Sequence, residues 1–425
     1  MNRRNMLACA ALCLAPLAEL SAQENPAVSI DQLVAMAMDN NAELGSFQAE
    51  ADAARGQRTQ AGFFRNPEVS VEVGAREVRD SENLLQGNGT TFGVSLMQTF
   101  EFPGKGTLRK AIADKNIEIA ELGLEQFRLS LAGRVRLLAY EHMAATAEAD
   151  AAEEIYRQGS GLASRLGTAP DYGARLRIET RLVQASLVEL GAAIKEACLR
   201  REDTRAQLNA LLGRPQNLPL RISSAFVPPS GGFNESAVVF AAQNNNPLLK
   251  IRQKELERSA RELTAARLDI APDFAIGPFF SRDVAGDTEQ NFGGAVTATV
   301  PLWDWNIGNI RTAKARAEGA GALRVKALRD VEVQIVNLLK AHELTRRQIG
   351  MIPPGLLENV REASGLAGTQ LRNGSIGAQL YLDAQAAYLG ALRTSQNAVL
   401  DAWRTFLDLN LLTGGSLDAP QEGRP

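Results

Sequence analysis

Apolar and polar residues alternate one by one in four short stretches of this chain and recur at three- and four-residue steps in much longer ones. Val69, Val71, Val73 and Ala75 alternate with Glu68, Ser70, Glu72 and Gly74, and Phe92, Val94, Leu96 and Phe100 alternate with Thr91, Gly93, Ser95 and Thr99. Farther on, Phe274 and Ile276 alternate with Asp273 and Ala275, and Phe292, Val296, Ala298 and Val300 with Gly293, Ala295, Thr297 and Thr299. A period of two predicts strands with one apolar face. A polar loop through Gly87-Asn88-Gly89 is expected between the first two, and Pro278 is expected to disturb the third. Each strand, at about 9–12 residues, is long enough to cross a bilayer at a tilt. Pro67, Pro103, Pro272 and Pro301 stand at the four expected helix–strand junctions, because proline lacks a helix donor and clashes with the preceding turn.

The longer stretches read as helices. Ser29 and Gln32 form a capping box, and a helix is expected from there to about Gly62. From Gly106 to Arg157 there is no proline, and Leu124, Phe127, Leu131, Val135 and Leu138 form an apolar seam. Leu328, Val331, Ile335 and Leu338 repeat that seam, and Leu392, Val399, Trp403 and Phe406 continue it. Such spacing predicts coiled-coil packing. Fifty helical residues would make a rod of roughly 75 Å, too long for one compact core. Turns are expected at Gly159 to Gly173 and at Gly374 to Gly377, with Pro353-Pro354 an extra interruption late in the chain.

These elements occur twice. Asn40-Asn41-Ala42-Glu43-Leu44 returns as Asn245-Asn246-Pro247-Leu248-Leu249, Pro67-Glu68 as Pro272-Asp273, and Phe92-Gly93 as Phe292-Gly293. Gly173-Ala174-Arg175-Leu176 returns as Gly377-Ala378-Gln379-Leu380. A period of roughly 200 residues is far beyond a solenoid repeat and marks a duplicated half-molecule. The expected layout is a signal segment 1–22, a first half 23–213, a linker 214–233 rich in proline and glycine, a second half 234–413, and a disordered tail 414–425.

Arg3 and Arg4 precede an apolar run from Met6 to Leu17 and small residues at Ser21-Ala22, the layout of a secretory signal cleaved after Ala22. Cys9 and Cys13 would leave with it, and Cys198 alone forms no disulfide framework. The run is too short for a membrane-spanning helix. A net charge of −3 and dispersed charges argue against a nucleic-acid surface. Four alternating strands cannot close a barrel, and an open edge in lipid costs several kcal/mol per unsatisfied group. If these strands cross a membrane, several chains must pool them, and three would give twelve.

The strand-to-helix passages Val94-Ser95-Leu96 to Phe102-Pro103-Gly104-Lys105 and Ala298-Thr299-Val300-Pro301-Leu302-Trp303-Asp304, with Ile352-Pro353-Pro354, Leu371-Arg372-Asn373-Gly374 and Tyr381-Leu382-Asp383-Ala384-Gln385, closely resemble the TolC family of outer-membrane efflux proteins. The resemblance covers essentially the whole chain after residue 22. It implies a mainly α fold with transmembrane β: four strands per chain contributed to a 12-stranded trimeric β-barrel, continued by a periplasmic α-helical barrel. It further implies a homotrimer in the outer membrane of a Gram-negative-type bacterium, in contact with outer-membrane lipid. A periplasmic adaptor and an inner-membrane pump, of RND or ABC type, would be its partners. By the same resemblance Asp383 is a candidate for the constriction at the periplasmic tip, with Glu179 its counterpart in the first half. Leu380 stands where a second acid is usual and Ile376 where a polar latch occurs, so the entrance is expected to combine apolar packing with one acidic ring. The Phe102-Pro103-Gly104-Lys105 passage is similar to members serving heavy-metal cation pumps, which makes metal-ion efflux the leading substrate expectation, with drugs, solvents and peptides as alternatives.

No catalytic or cofactor set competes with this reading. His342-Glu343 lacks the second histidine of a zinc-protease helix, since Arg346 occupies that position. With only His142 and His342 in the chain, neither a catalytic metal site nor a Ser/His/Asp set is expected. Gly104-Lys105-Gly106-Thr107 lacks phosphate-loop spacing and reads as a tight turn. An exported coiled-coil adhesin trimer would explain the helices but not the paired strands. A periplasmic adaptor normally has one helical hairpin rather than two.

Overall fold

The computed structural model describes residues 27–167, 174–229 and 232–417. The expected signal segment, residues 168–173 of the first expected turn, and the chain beyond 417 lie outside the described residues.

Ser29 and Gln32 form the expected reciprocal cap at the start of α1 (Ile30–Asn40). The helix does not run on to Gly62. Asn41 leaves helical geometry and starts α2 (Ala42–Gln60) by accepting the Leu44 N–H at 3.1 Å. The reason is local: an asparagine amide offers the backbone an alternative partner, so it favours a cap over a helix interior. Asn246 does the same between α5 (Glu235–Asn245) and α6 (Pro247–Leu268). Each asparagine also donates to the far end of its own half. Asn41 reaches the Leu211 carbonyl at 3.0 Å, ending α4 (Ala174–Leu211), and Asn246 reaches Leu412 at 2.9 Å, ending α9 (Ala378–Leu412). Gly213 and Gly414 follow those helices with φ of +66° and +67°, and a Cβ on either would fall 2.7 or 2.4 Å from the carbonyl oxygen of Asn40 or Asn245. The repeated asparagine thus belongs to a lock that only glycine can close.

Between α2 and α3 lie β1 (Glu68–Arg79) and β2 (Leu85–Phe100). Between α6 and α7 lie β3 (Phe274–Ala285) and β4 (Asp287–Ala298). They form one antiparallel sheet in the order β1-β2-β3-β4, so β1 and β4 are bare along one side. The turn between β1 and β2 falls at 80–84, and Gly87-Asn88-Gly89 lies within β2 rather than in a loop. Nor does Pro278 end β3. Its register with β4 is continuous through Pro278↔Gly294, while pairing with β2 lapses between Ser95↔Phe279 and Gln98↔Ile276. A residue without a donor is tolerated where pairing lapses.

The rods are longer than expected. α3 (Lys105–Gly167) has 63 residues, about 95 Å of helix. It passes through Gly159, which was expected to begin a turn. There a Cβ would sit 2.9 Å from Leu187 Cδ2 and 3.4 Å from the Tyr381 hydroxyl, so the glycine admits close packing. In the second half the rod is split into α7 (Ile307–Gly350) and α8 (Leu356–Arg372) across Pro353-Pro354.

The predicted seams are buried. Leu131 and Val135 pack with Ile30, Leu33, Leu208, Trp403 and Phe406, and Val331 and Ile335 pack with Val238 and Leu409. The linker is strapped to this core: the Trp403 indole donates to the Val227 carbonyl at 2.8 Å, and Val28 bridges Ile222. Gly414 and Gly415 form a turn that returns Leu417 to the same cores, so the start of the expected tail is packed.

A lattice of four charges ties α3 to α6. Buried Lys115 lies 2.7 Å from Glu118 and 2.9 Å from Glu257, and Lys254 lies 2.7 Å from Glu118. Hydrogen bonds from Lys115 and then Gln253 push Glu257 down from 4.5 to about 2. A depressed carboxylate contributes stability fully above its unfolded value and loses it as pH falls through its folded one. The melting difference between the protein and Glu257→Gln is therefore expected to be constant above about pH 4.5 and to vanish near about pH 2. A difference that grows in acid would refute the lattice as a stabilising contact.

Candidate functional site

Two regions can do something no soluble core requires: the sheet, and the end of the helices farthest from it.

Reading across the register sorts the sheet into two faces. Val71, Val94, Phe280 and Phe292 share one row, and Val69 with Leu96, Ile276 with Val296, and Phe100 with Phe274 extend the same face. These side chains are not buried within the chain: Val73 is 76% and Phe292 83% exposed. The opposite face carries Ser70, Ser95 and Ser281, then Glu72, Asn291 and Thr91. Its one aromatic, Phe279, lies over Gly293, where a Cβ would come within 2.9 Å of the ring. Curvature agrees with polarity. Gly87, Gly89 and Gly277 all belong to the polar face at the β2–β3 seam, where a Cβ would fall 2.2, 1.5 or 1.7 Å from the carbonyl oxygen of Ala285, Val284 or Leu96. Strands that close admit no side chain on that side, so glycine lets the sheet bend towards it. The polar face is the concave one.

All four junction prolines stand at the helix end of this sheet. Pro67 precedes β1, Pro103 separates β2 from α3, Pro272 precedes β3, and Pro301 follows β4. A charge network missed by sequence reasoning joins the passages of the two halves. Lys105 Nζ donates to the Ala271 carbonyl and Asp273 Oδ1, both at 2.8 Å, and the Phe102 N–H donates to the same carboxylate at 3.1 Å. Arg109 donates to both Glu101 oxygens at 2.6 and 2.8 Å. The Pro-Gly-Lys passage is therefore a structural tie, with Gly104 at φ +101°. Exposed aromatics flank it: Phe64, Trp303 and Trp305.

At the other end, Leu162 and Val183 of the first half meet Leu371, Ala378 and Tyr381 of the second. Tyr381 is 2% exposed, and burial raises its phenol pKa. Ser364 donates to Gln385 Oε1 at 2.7 Å, and the Gln385 amide returns a bond to the Ser364 carbonyl. Ile376 packs partly buried against the cluster. Glu179 comes to the turn of the second half, its Oε1 3.7 Å from where a Gly377 Cβ would stand. Asp383 is exposed and accepts from Gln379 at 2.9 Å, and Leu380 is 57% exposed. Above this cluster, the buried Glu148 carboxylate of α3 accepts from Arg200 of α4 at 2.9 Å and from Arg393 of α9. Nothing in the local sequence pattern had marked that clamp, which joins three helices.

Among the described residues no group of three or more His, Cys, Asp or Glu could hold a metal ion, and no helix is long and apolar enough to cross a membrane.

No protein-family model matches the chain, and no curated protein is similar to it in sequence. Solved structures are similar to it. The CmeC outer-membrane channel of Campylobacter jejuni shares 16% identity at a TM-score of 0.71, covering 93% of this chain and 87% of that one. The open state of the MtrE outer-membrane channel of Neisseria gonorrhoeae shares 18% at 0.70, covering 91% and 89%. CusC, described for folding and transmembrane channel formation, shares 15% at 0.70, covering 91% and 92%. The likeness is one of fold, and it spans both the helices and the sheet.

Proposed function

We propose that three copies of this chain form an outer-membrane exit duct for an efflux system. The observation that carries the reading is the sheet: apolar and exposed on its convex face, polar on its concave face, bare along both edges. In lipid, bare edges must be paired, and pairing β4 of one copy with β1 of the next keeps the antiparallel order and closes twelve strands. The helices then continue the duct into the periplasm, with the Tyr381 end as its entrance. The fold shared with outer-membrane channels supports this reading. A periplasmic adaptor and an RND- or ABC-type inner-membrane pump would supply substrate and energy. The test is membrane fractionation followed by the mass of the detergent-extracted species. A trimer in the outer-membrane fraction supports the duct. A monomer that stays soluble without detergent sinks it, and a soluble trimer would favour the coiled-coil adhesin.

At the entrance, Asp383, Glu179 and Leu380 are the proposed constriction, with Asp383 contributing an exposed acidic ring. Asp383→Ala is expected to weaken block by divalent cations on the periplasmic side by about tenfold, with trimer yield unchanged. Identical single-channel block in both proteins would remove Asp383 from the entrance.

A further inference from the structure

The concave face carries more negative than positive charge. Its charged side chains are Glu68, Glu72 and Arg76 on β1, Asp283 on β3, and Asp287 and Glu289 on β4. Arg76 is held by Asp283 at 2.7 Å and Glu289 at 3.3 Å, so the single guanidinium is engaged by two carboxylates. Among the described residues no ion pair involves Glu68, Glu72 or Asp287. The convex face has its charges, Glu77, Arg79 and Arg282, only towards the strand ends away from the helices. Two independent features put the acidic face inside. The convex face is apolar, and the glycine seam bends the sheet towards the carboxylates.

We infer that the wall of the β-barrel, and not only its periplasmic entrance, makes this duct prefer cations, so that inorganic cations and cationic organic molecules leave more readily than anions. The inference rests on the duct reading and extends it to the class of cargo. Its physical basis is the summed field of the wall rather than any one carboxylate. Like charges repeated around a narrow passage with low-dielectric walls raise the local concentration of the opposite ion. The excess is spread along the wall: Glu68 stands at the helix end, Glu72 near the middle, level with Ser281 and Asn291, and Asp287 at the far end, next to the β3–β4 turn. The row between Glu68 and Glu72 carries Ser70, Ser95, Phe279 and Gly293 and is without charge. Selectivity of this origin weakens with salt, because screening shortens to about 8 Å at physiological ionic strength and further above it.

The experiment is the reversal potential of the full-length protein in planar bilayers across a potassium chloride gradient, repeated at low and high salt. It is run in an Asp383→Asn, Glu179→Gln background, so that charge at the tip does not set the result. Potassium is expected to be favoured over chloride, more strongly at low salt. Glu72→Gln with Asp287→Asn is expected to lower the ratio by about threefold or more, and Glu72→Lys with Asp287→Lys to invert it. The single Glu72→Gln variant, the mildest change, should move the ratio in the same direction. A conducting trimer with a ratio near unity at low salt, or one whose ratio ignores these changes, overturns the inference and leaves the duct standing. A membrane-inserted protein that conducts no ion at any salt overturns both.

Discussion

Val71→Arg is expected to abolish recovery of the protein from the membrane fraction, whereas Ser70→Arg, one residue away, should leave assembly intact. Val71 sits in the row Val71–Val94–Phe280–Phe292 that crosses all four strands of the apolar face. An arginine on the lipid face near the bilayer midplane costs about 2–4 kcal/mol. Three copies would carry the penalty together, roughly 6–12 kcal/mol per assembly, comparable to the whole stability of an ordinary domain. Ser70 faces the other way and pairs with Ser95 in a polar row, where a charge meets water. The readout is the amount of detergent-extracted trimer from each variant. Equal recovery of the two, or loss of the Ser70 variant alone, would mean that the faces have been assigned the wrong way round.

The second large effect concerns Glu148. Its side chain is 4% exposed, while those of Arg200 and Arg393 are 48% and 43% exposed. Removing both arginines would therefore strand a buried carboxylate, whereas removing the carboxylate would leave two cations that water can reach. Stranding a buried charge costs about 3–5 kcal/mol. Arg200→Ala with Arg393→Ala should lower the helical melting midpoint sharply. Adding Glu148→Gln to that variant should restore most of the loss, because a neutral amide tolerates the site better than an unpaired anion. If the third substitution instead deepens the loss, the clamp acts through packing and not through charge.

The strands were legible because their two faces meet different surroundings, and so the period of two was written over most of their length. The seams of Leu131, Val135, Val331 and Ile335 were legible for the same reason at helical spacing. The errors came from residues with two uses. Gly87 and Gly89 look like a turn, yet they lie in β2 because its backbone approaches β3 too closely for a side chain. Pro278 looks like a stop, yet it fits where one ladder lapses. Gly159 looks like a break and serves as a packing gap for Leu187 and Tyr381. Asn41 was the reverse case: its recurrence at Asn246 was visible, but not that each bends the chain and ties it to the opposite helix end. The Glu148 clamp joins residues far apart in sequence, Arg393 among them, and such pairings leave no local period. The proposed entrance is harder still, because its width would be set between copies, and no spacing within one copy spells that out.

The bare edges of β1 and β4 also impose an order of events on the life of the chain. Each helical core buries its side chains against others of the same copy. The sheet cannot be completed alone, and a newly made subunit carries two unpaired edges and an uncovered apolar face. Such edges pair readily with any extended chain they meet. On the proposed duct reading, the interval before the sheet is covered is the hazardous one: speed of delivery, or an escort that shields the sheet, would govern how much of what is synthesised reaches the assembled state.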